Sequence, residues 1–339
     1  MHAIRLHQFG PAENLRYEEI SAPEPGPGQV RIAVAASGVH LIDTAIRRGE
    51  AAGPFPLPEL PTVPGREVAG TVEAIGEGVE DEWLGRYVVA HLGMASGGYA
   101  ERAVVSAASL HVVPGHVGPD AAVAMIGTGR TAMGILELAE LTEEDTVVVT
   151  AAAGGIGTLL VQAARAAGAE VVALAGGPAK LARVQELGAT MAIDYSGPGW
   201  IDQVRAALDG NPASVAFDGV GGAIGRGAME LLGPGGRLVV FGWSSGAPTP
   251  MTSMDIGGRG ITVIGSLGAR ILRRPGGIRG LETAALAAVG AGTLLPVVGQ
   301  TFPLADAAGA HAALESRATV GKVVLTTGWG QTRGVATTA

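Results

Sequence analysis

The stretch "VVVTAAAGGIG", Val147 to Gly157, decides how this chain folds. Its valines belong to a continuous apolar run, "DTVVVT" (145–150), which a cluster of small residues then breaks. "IGTLLVQAARAAG" (156–168) follows with helical periodicity and alanine-rich faces, and "EVVALA" (170–175) is a second apolar run. Strands without polar alternation, joined through a helix, are buried on both faces, which predicts a parallel sheet built from βαβ crossovers.

Ala152, Gly154 and Gly157 stand at the three positions of the GxGxxG dinucleotide fingerprint, with alanine in the first and with Gly155 and Ile156 between the other two. Gly154 leaves room for a pyrophosphate to approach the backbone, Gly157 lets the helix pack on the strand, and the helix amino terminus offers N–H groups to an anion. The strand before and the helix after are the context that gives the pattern meaning. A packing turn that binds nothing is the plain alternative.

Sites selective for NAD carry an Asp or Glu about twenty residues on, which accepts hydrogen bonds from the adenosine ribose. Here the second strand ends Leu174-Ala175-Gly176-Gly177, with no acid. A carboxylate at that place repels a 2′-phosphate, and two glycines leave space for one. Lys180, at the start of the next helix, reaches the same place; a charged hydrogen bond of about 1.5–3 kcal/mol favours NADPH over NADH by roughly ten- to a hundredfold. The expected cofactor is NADPH.

The apolar runs continue with the helix "KLARVQELG" (180–188), the strand "MAID" (191–194), and then "SVAFDGV" (214–220), "GRLVVFG" (236–242) and "ITVIGS" (261–266). Before residue 115 the texture differs. Short β-type runs such as "QVRIAVAA" (29–36), "REVAGTVEAIG" (66–76), "GRYVVAHL" (85–92) and "YAERAVV" (99–105) are separated by Gly- or Pro-bearing breaks, as in a small barrel or sandwich. Residues 121–140 read as helical, and after 275 come a helix (281–290), the strand "PVVGQTF" (296–302), a helix (304–316), the strand "KVVLTT" (322–327) and an aperiodic tail from Trp329.

A length of 339 residues allows two domains at roughly 150 residues each. The 55 glycines and 20 prolines accompany 47% hydrophobic residues, which describes an ordered, tightly turned globular protein. A net charge of −8 with interspersed signs gives no general attraction for nucleic acid or anionic membrane. The absence of cysteine excludes disulfides, thiolate nucleophiles and Cys-ligated zinc, and fits a reducing cytoplasm. "MHAIRLHQFG" has no apolar core of a signal peptide. "GWSSG" (242–246) matches a serine-hydrolase elbow, but the prolines of "APTPMTS" stand where that elbow needs a helix.

Taken together, "SGVHLIDTAIRRG" (37–49), "PGREVAGTVEAIGEGV" (64–79), "GGYAERAVV" (97–105), "TGRTA" (128–132), "AAAGGIG" (151–157), "FDGVGG" (217–222), "GGRLVVFG" (235–242) and "ESRATVGKVVL" (315–325) resemble the medium-chain dehydrogenase/reductases, in the zinc-free quinone oxidoreductase branch. The resemblance spans nearly the whole chain. It implies an α/β architecture: a GroES-like β-barrel catalytic domain (1–123 and 268–339) and an NADPH-binding Rossmann domain with a doubly wound parallel sheet (124–267). In that branch Lys180 and Tyr195 match the residues that hold the 2′-phosphate, Thr131 matches a residue near the nicotinamide ribose, and Val220, Phe241 and Gly242 match segments lining the cofactor.

The resemblance also places His40 at the first catalytic zinc-ligand position of the metal-dependent relatives, Arg66 at the second and Thr128 about at the third, so no metal is expected. His40 replaces a common asparagine and Ala45 a common tyrosine. An imidazole suits His40 to bond a substrate carbonyl and deliver a proton; a histidine bonded in the site wall is the alternative. Asp43 reads as structural. The nicotinamide is expected beside His40, Thr131 and Phe241, giving hydride to a quinone or to an α,β-unsaturated carbonyl. Reduction of an enoyl thioester is the runner-up reaction, and a non-catalytic NADPH-binding protein the rival class. Arg270, Arg273, Arg274 and Arg279 read as a solvated face or as a holder for an acidic substrate. Family members are often homodimers, and "ITVIGS" is a candidate pairing edge.

Overall fold

The computed structural model describes residues 1–51, 56–266, 271 and 273–328. The described strands, in chain order, are β1 (His2–Leu6), β2 (Leu15–Glu19), β3 (Gln29–Val39), β4 (Glu67–Ile75), β5 (Tyr87–His91), β6 (Arg102–Ser106), β7 (Leu110–Val112), β8 (Thr146–Val149), β9 (Glu170–Ala175), β10 (Met191–Asp194), β11 (Ala213–Asp218), β12 (Leu232–Val240), β13 (Thr262–Gly265), β14 (Val298–Pro303) and β15 (Lys322–Thr326). The chain divides into two units, Met1–Gly127 with the segment from Ala285 onward, and Thr128–Ala284.

The first unit holds the predicted short strands, ordered β14-β15-β3-β4-β5-β7, with β6 also on β3 and with β1 and β2 forming a separate antiparallel pair. Val30, Ile32 and Val34 of β3 pack fully buried against Val68, Val72, Val88, Ala90 and Leu110. Apolar area removed from water stabilises by roughly 25 cal/mol per Å². β3 is long enough to serve three partners, and irregularities at Arg31/Ile32 and Val34/Ala36 re-aim its second half. That half pairs with β15, Val39 opposite Val323, and with the start of β4, Ser37 opposite Val68. The three strand ends therefore bring His40, Glu67 and Lys322 to one place.

The second unit is a six-stranded parallel sheet ordered β10-β9-β8-β11-β12-β13. The chain runs outward from β8 to β10, returns, and runs outward again from β11, so the order reverses between β8 and β11, the doubly wound Rossmann topology. Val147, Val148, Val149, Val171, Val172, Ala173 and Leu174 have no exposed surface, as their unbroken apolar runs require. "MAID" is β10 itself, and "ITVIGS" contains β13, at the end of the sheet.

The helical stretch predicted over 121–140 is a helix Pro119–Ala124, a π turn Met125–Gly129 and a helix Arg130–Ala139. Within this widened turn residue 127 must be glycine, because a Cβ there would fall 1.5 Å from Oε1 of Glu67. Tail residues from Trp329 lie outside the described residues. Among the described residues no helix is long and apolar enough to cross a membrane.

Candidate functional site

In the second unit, the turn after β8 leads into the helix Gly155–Ala166, whose N-cap is Gly154. A Cβ on Gly157 would lie 2.3 Å from the Ala151 carbonyl oxygen and 2.7 Å from Ala152 Cα, so only glycine lets this helix seat on the turn. Ala152 is buried, its N–H donating to the Leu174 carbonyl, while Gly154, Gly155 and Ile156 are partly exposed. Helix N–H groups thus open at the carboxyl end of β8, beside the point where strand order reverses.

Asp218 organises the neighbouring strand end. One carboxylate oxygen accepts from the N–H groups of Val220 (2.9 Å) and Gly221 (3.0 Å), and the other from the Thr249 hydroxyl. The Phe241 N–H donates to the Asp218 carbonyl, so Val220, Phe241 and Gly242 gather at the ends of β11 and β12. Thr131 lies in the first turn of the helix Arg130–Ala139. After "GWSSG" no helix begins until Ser253, so Ser244 lacks the geometry of a hydrolase elbow.

At the end of β9, Gly176 and Gly177 form the open shelf that the sequence anticipates; Gly177, at φ +85°, has nothing within 4 Å of a notional Cβ. Lys180 follows in the first turn of the helix Pro178–Glu186, and Tyr195 succeeds β10, half-buried against the unit's core. The shelf is not free of acid, however. β9 itself supplies none, but β10 pairs with Asp194 opposite Ala175, and Asp194 Oδ2 accepts the Gly177 N–H at 2.9 Å. This residue escaped the sequence reading because it stands on another strand.

In the first unit, His40 N-caps the short helix Leu41–Arg48. Its Nε2 lies 2.6 Å from Glu67 Oε1 and 2.9 Å from Lys322 Nζ, and Lys322 Nζ is 3.1 Å from Glu67 Oε2. Glu67 has no exposed surface, whereas a quarter of the His40 side chain is open to solvent. Burial alone would raise the Glu67 pKa; the His40 and Lys322 charges override it and hold the carboxyl well below its ordinary range. The sequence carried a signal for both partners, an acid and a base inside the apolar runs "REVAG" and "GKVVL".

Behind His40 a buried hydrogen-bond network extends inward. The His40 backbone N–H and the Tyr99 hydroxyl both donate to Asp43 Oδ2, at 2.9 and 3.2 Å, and Tyr99 is 3.2 Å from His311 Nε2. With the Tyr99 hydrogen on Asp43, His311 donates from Nε2 and its buried Nδ1 has no partner. Burial pushes the His311 pKa down to about 4. Arg66 stands 3.9 Å from Asp43 with its pKa lowered by burial. The donor set does not fit a catalytic zinc: a guanidinium occupies one ligand position, and His40 already lies against an ammonium and a carboxylate. Among the described residues no three His, Asp or Glu side chains are grouped to hold a metal.

Of the arginine group, Arg274 is bound to Glu137 at 2.6 Å beside a cavity of about 680 Å³ that Arg273 also lines, and Arg279 lies in the helix Gly277–Gly290. Arg270 lies outside the described residues.

A family model described as the alcohol dehydrogenase GroES-like domain matches residues 26–115, and one described as zinc-binding dehydrogenase matches 155–281. A quinone oxidoreductase of Pseudomonas aeruginosa is 31% identical over 332 residues, 95% of this chain and 98% of the relative. A 2-haloacrylate reductase of a Burkholderia species is 32% identical over 328 residues, again 95% and 98%. The solved structure of Escherichia coli quinone oxidoreductase complexed with NADPH has a TM-score of 0.85 at 27% identity, covering 96% of this chain and 100% of that one. An NAD-dependent alcohol dehydrogenase structure reaches 0.86 at 31% identity, covering 97% and 100%.

Proposed function

The chain belongs to the quinone oxidoreductase branch of the medium-chain dehydrogenase/reductase superfamily, and on that premise we propose that it reduces a quinone or the alkene of an α,β-unsaturated carbonyl, with His40 as proton donor. It is an NADPH-dependent oxidoreductase acting on a small molecule. NADPH, when bound, supplies the hydride; the protein supplies position, proton and exclusion of water.

The coenzyme assignment rests on residues that fit it. Gly154, Gly155, Ile156 and Gly157, with Ala152 beneath them, would take the pyrophosphate on the helix amino terminus. Gly176, Lys180 and Tyr195 would take the 2′-phosphate, and Thr131, Val220, Phe241 and Gly242 would line the remainder.

One observation carries the chemical part: a quarter-exposed imidazole set against a fully buried carboxylate and an ammonium. Reduction of an enone adds hydride at the β-carbon and puts negative charge on the carbonyl oxygen. A fixed donor there lowers the barrier because it needs no reorganisation. The 2-haloacrylate reductase among the relatives reduces an activated alkene by its name, which supports the alkene reading beside the quinone one. NADPH consumption across quinones, enones and enoyl thioesters tests this. A strong bias to thioesters would replace it with the runner-up reaction, and no turnover at all with a non-catalytic binder.

A cytoplasmic homodimer joined through β13 is part of the same reading. β13 ends the sheet and three of its four residues are not buried. Sedimentation at several concentrations tests the dimer.

A further inference from the structure

Coenzyme choice in this fold turns on charge at the end of β9, and the charge there comes from the next strand. Parallel pairing sets Asp194 opposite Ala175, and its Oδ2 accepts the Gly177 N–H at 2.9 Å. Oδ1 accepts from the Ser196 N–H at 2.8 Å and from the Ser196 hydroxyl at 2.5 Å. The Ser196 bonds, with that from Gly177, hold the Asp194 pKa below its ordinary value. The carboxylate is therefore fixed, ionised, and bonded to the backbone of the shelf itself.

We propose that Asp194 is a specificity-determining residue that opposes the adenosine 2′-phosphate and restrains the preference of this chain for NADPH over NADH. The inference rests on the reading that Gly176, Lys180 and Tyr195 receive that phosphate. An acid at the end of β9 would accept the ribose hydroxyl and exclude the phosphate. One set a strand further out acts with the same sign but less force, against the pull of Lys180. It also claims the Gly177 N–H, a donor at the head of the helix Pro178–Glu186 that otherwise faces an anion. The shelf is open at Gly177, where a phosphate has room. Relatives of this chain include structures described with NADPH and as NAD-dependent, so the fold accommodates either balance.

The experiment is calorimetric binding of NADPH and NADH to the whole protein carrying Asp194→Asn, Asp194→Ser or Lys180→Ala. The Asn and Ser variants keep an acceptor for the backbone while removing the charge. They are expected to bind NADPH about five- to tenfold more tightly at low salt, with NADH unchanged, and to lose that gain toward about 1 M salt, where the screening length is about 3 Å. Equal shifts for both coenzymes, or a salt-independent gain, would reduce Asp194 to a brace of the loop and overturn the proposal. If Lys180→Ala weakens NADPH while the Asp194 variants change nothing, this inference alone fails. If Lys180→Ala also leaves NADPH unaffected, the phosphate placement fails with it.

Discussion

Nε2 of His40 lies 2.6 Å from Oε1 of Glu67, a carboxylate with no solvent-exposed surface. The same ring nitrogen is 2.9 Å from Lys322 Nζ. It can aim a hydrogen at the carboxylate or a lone pair at the ammonium, not both, so the three side chains form one proton-sharing group. Removing one member of such a buried set leaves the others uncompensated. Glu67→Gln is expected to destabilise the protein by about 3–5 kcal/mol, read by urea denaturation. Adding Lys322→Met should recover part of the loss; a Glu67→Gln protein as stable as the parent would contradict this account.

His40→Ala should lower turnover by about 10²- to 10⁴-fold, the usual worth of a positioned acid, with NADPH affinity unchanged. Steady-state rates and a coenzyme titration measure the two effects separately. An undiminished rate would make His40 part of the wall.

His311 makes stability depend on pH. Its folded pKa of about 4 lies below its ordinary 6.5, so between those values the unfolded chain binds more protons. The neutral buried ring therefore contributes fully above pH 6.5, and its contribution, on the order of 3 kcal/mol, is lost as pH falls to about 4. Glu67 acts with the same sign, only below the ordinary carboxylate value of 4.5. Denaturation midpoints across this range should fall on acidification, and His311→Leu should flatten the slope; an equal slope in that variant would assign the effect elsewhere.

Gly127→Ala puts a carbon where the Glu67 carboxylate lies, since the notional Cβ is 1.5 Å from Oε1. Either the carboxylate moves off His40 or the π turn shifts. A loss of at least about 1–3 kcal/mol is expected from overpacking of this kind, with a drop in turnover, measured by thermal unfolding and the same rate assay. Parental stability and rate together would show that the turn yields freely.

The glycine turn after β8 was legible because its constraint is local. Gly157 must lack a side chain so that the helix can seat on Ala151 and Ala152, a few residues away. Apolar runs of strand length likewise announced a sheet buried on both faces. The His40 cluster was legible only in part. His40 stood out by its position in "SGVHLID", but an acid in "REVAG" and a base in "GKVVL" say nothing separately about each other. Their partnership needs β3 to pair with both β4 and β15, and the sequence distance from His40 to Lys322 is 282 residues.

By itself, the amino-acid order determined the βαβ units, the glycine turn after β8 and the lack of an acid at the end of β9, because each follows from residues within one or two turns of chain. The tertiary structure decided which charges meet. It placed Asp194 at the shelf that β9 leaves bare, and Glu67 with Lys322 beneath His40, because strand register sets side-chain neighbours between segments that no local pattern connects.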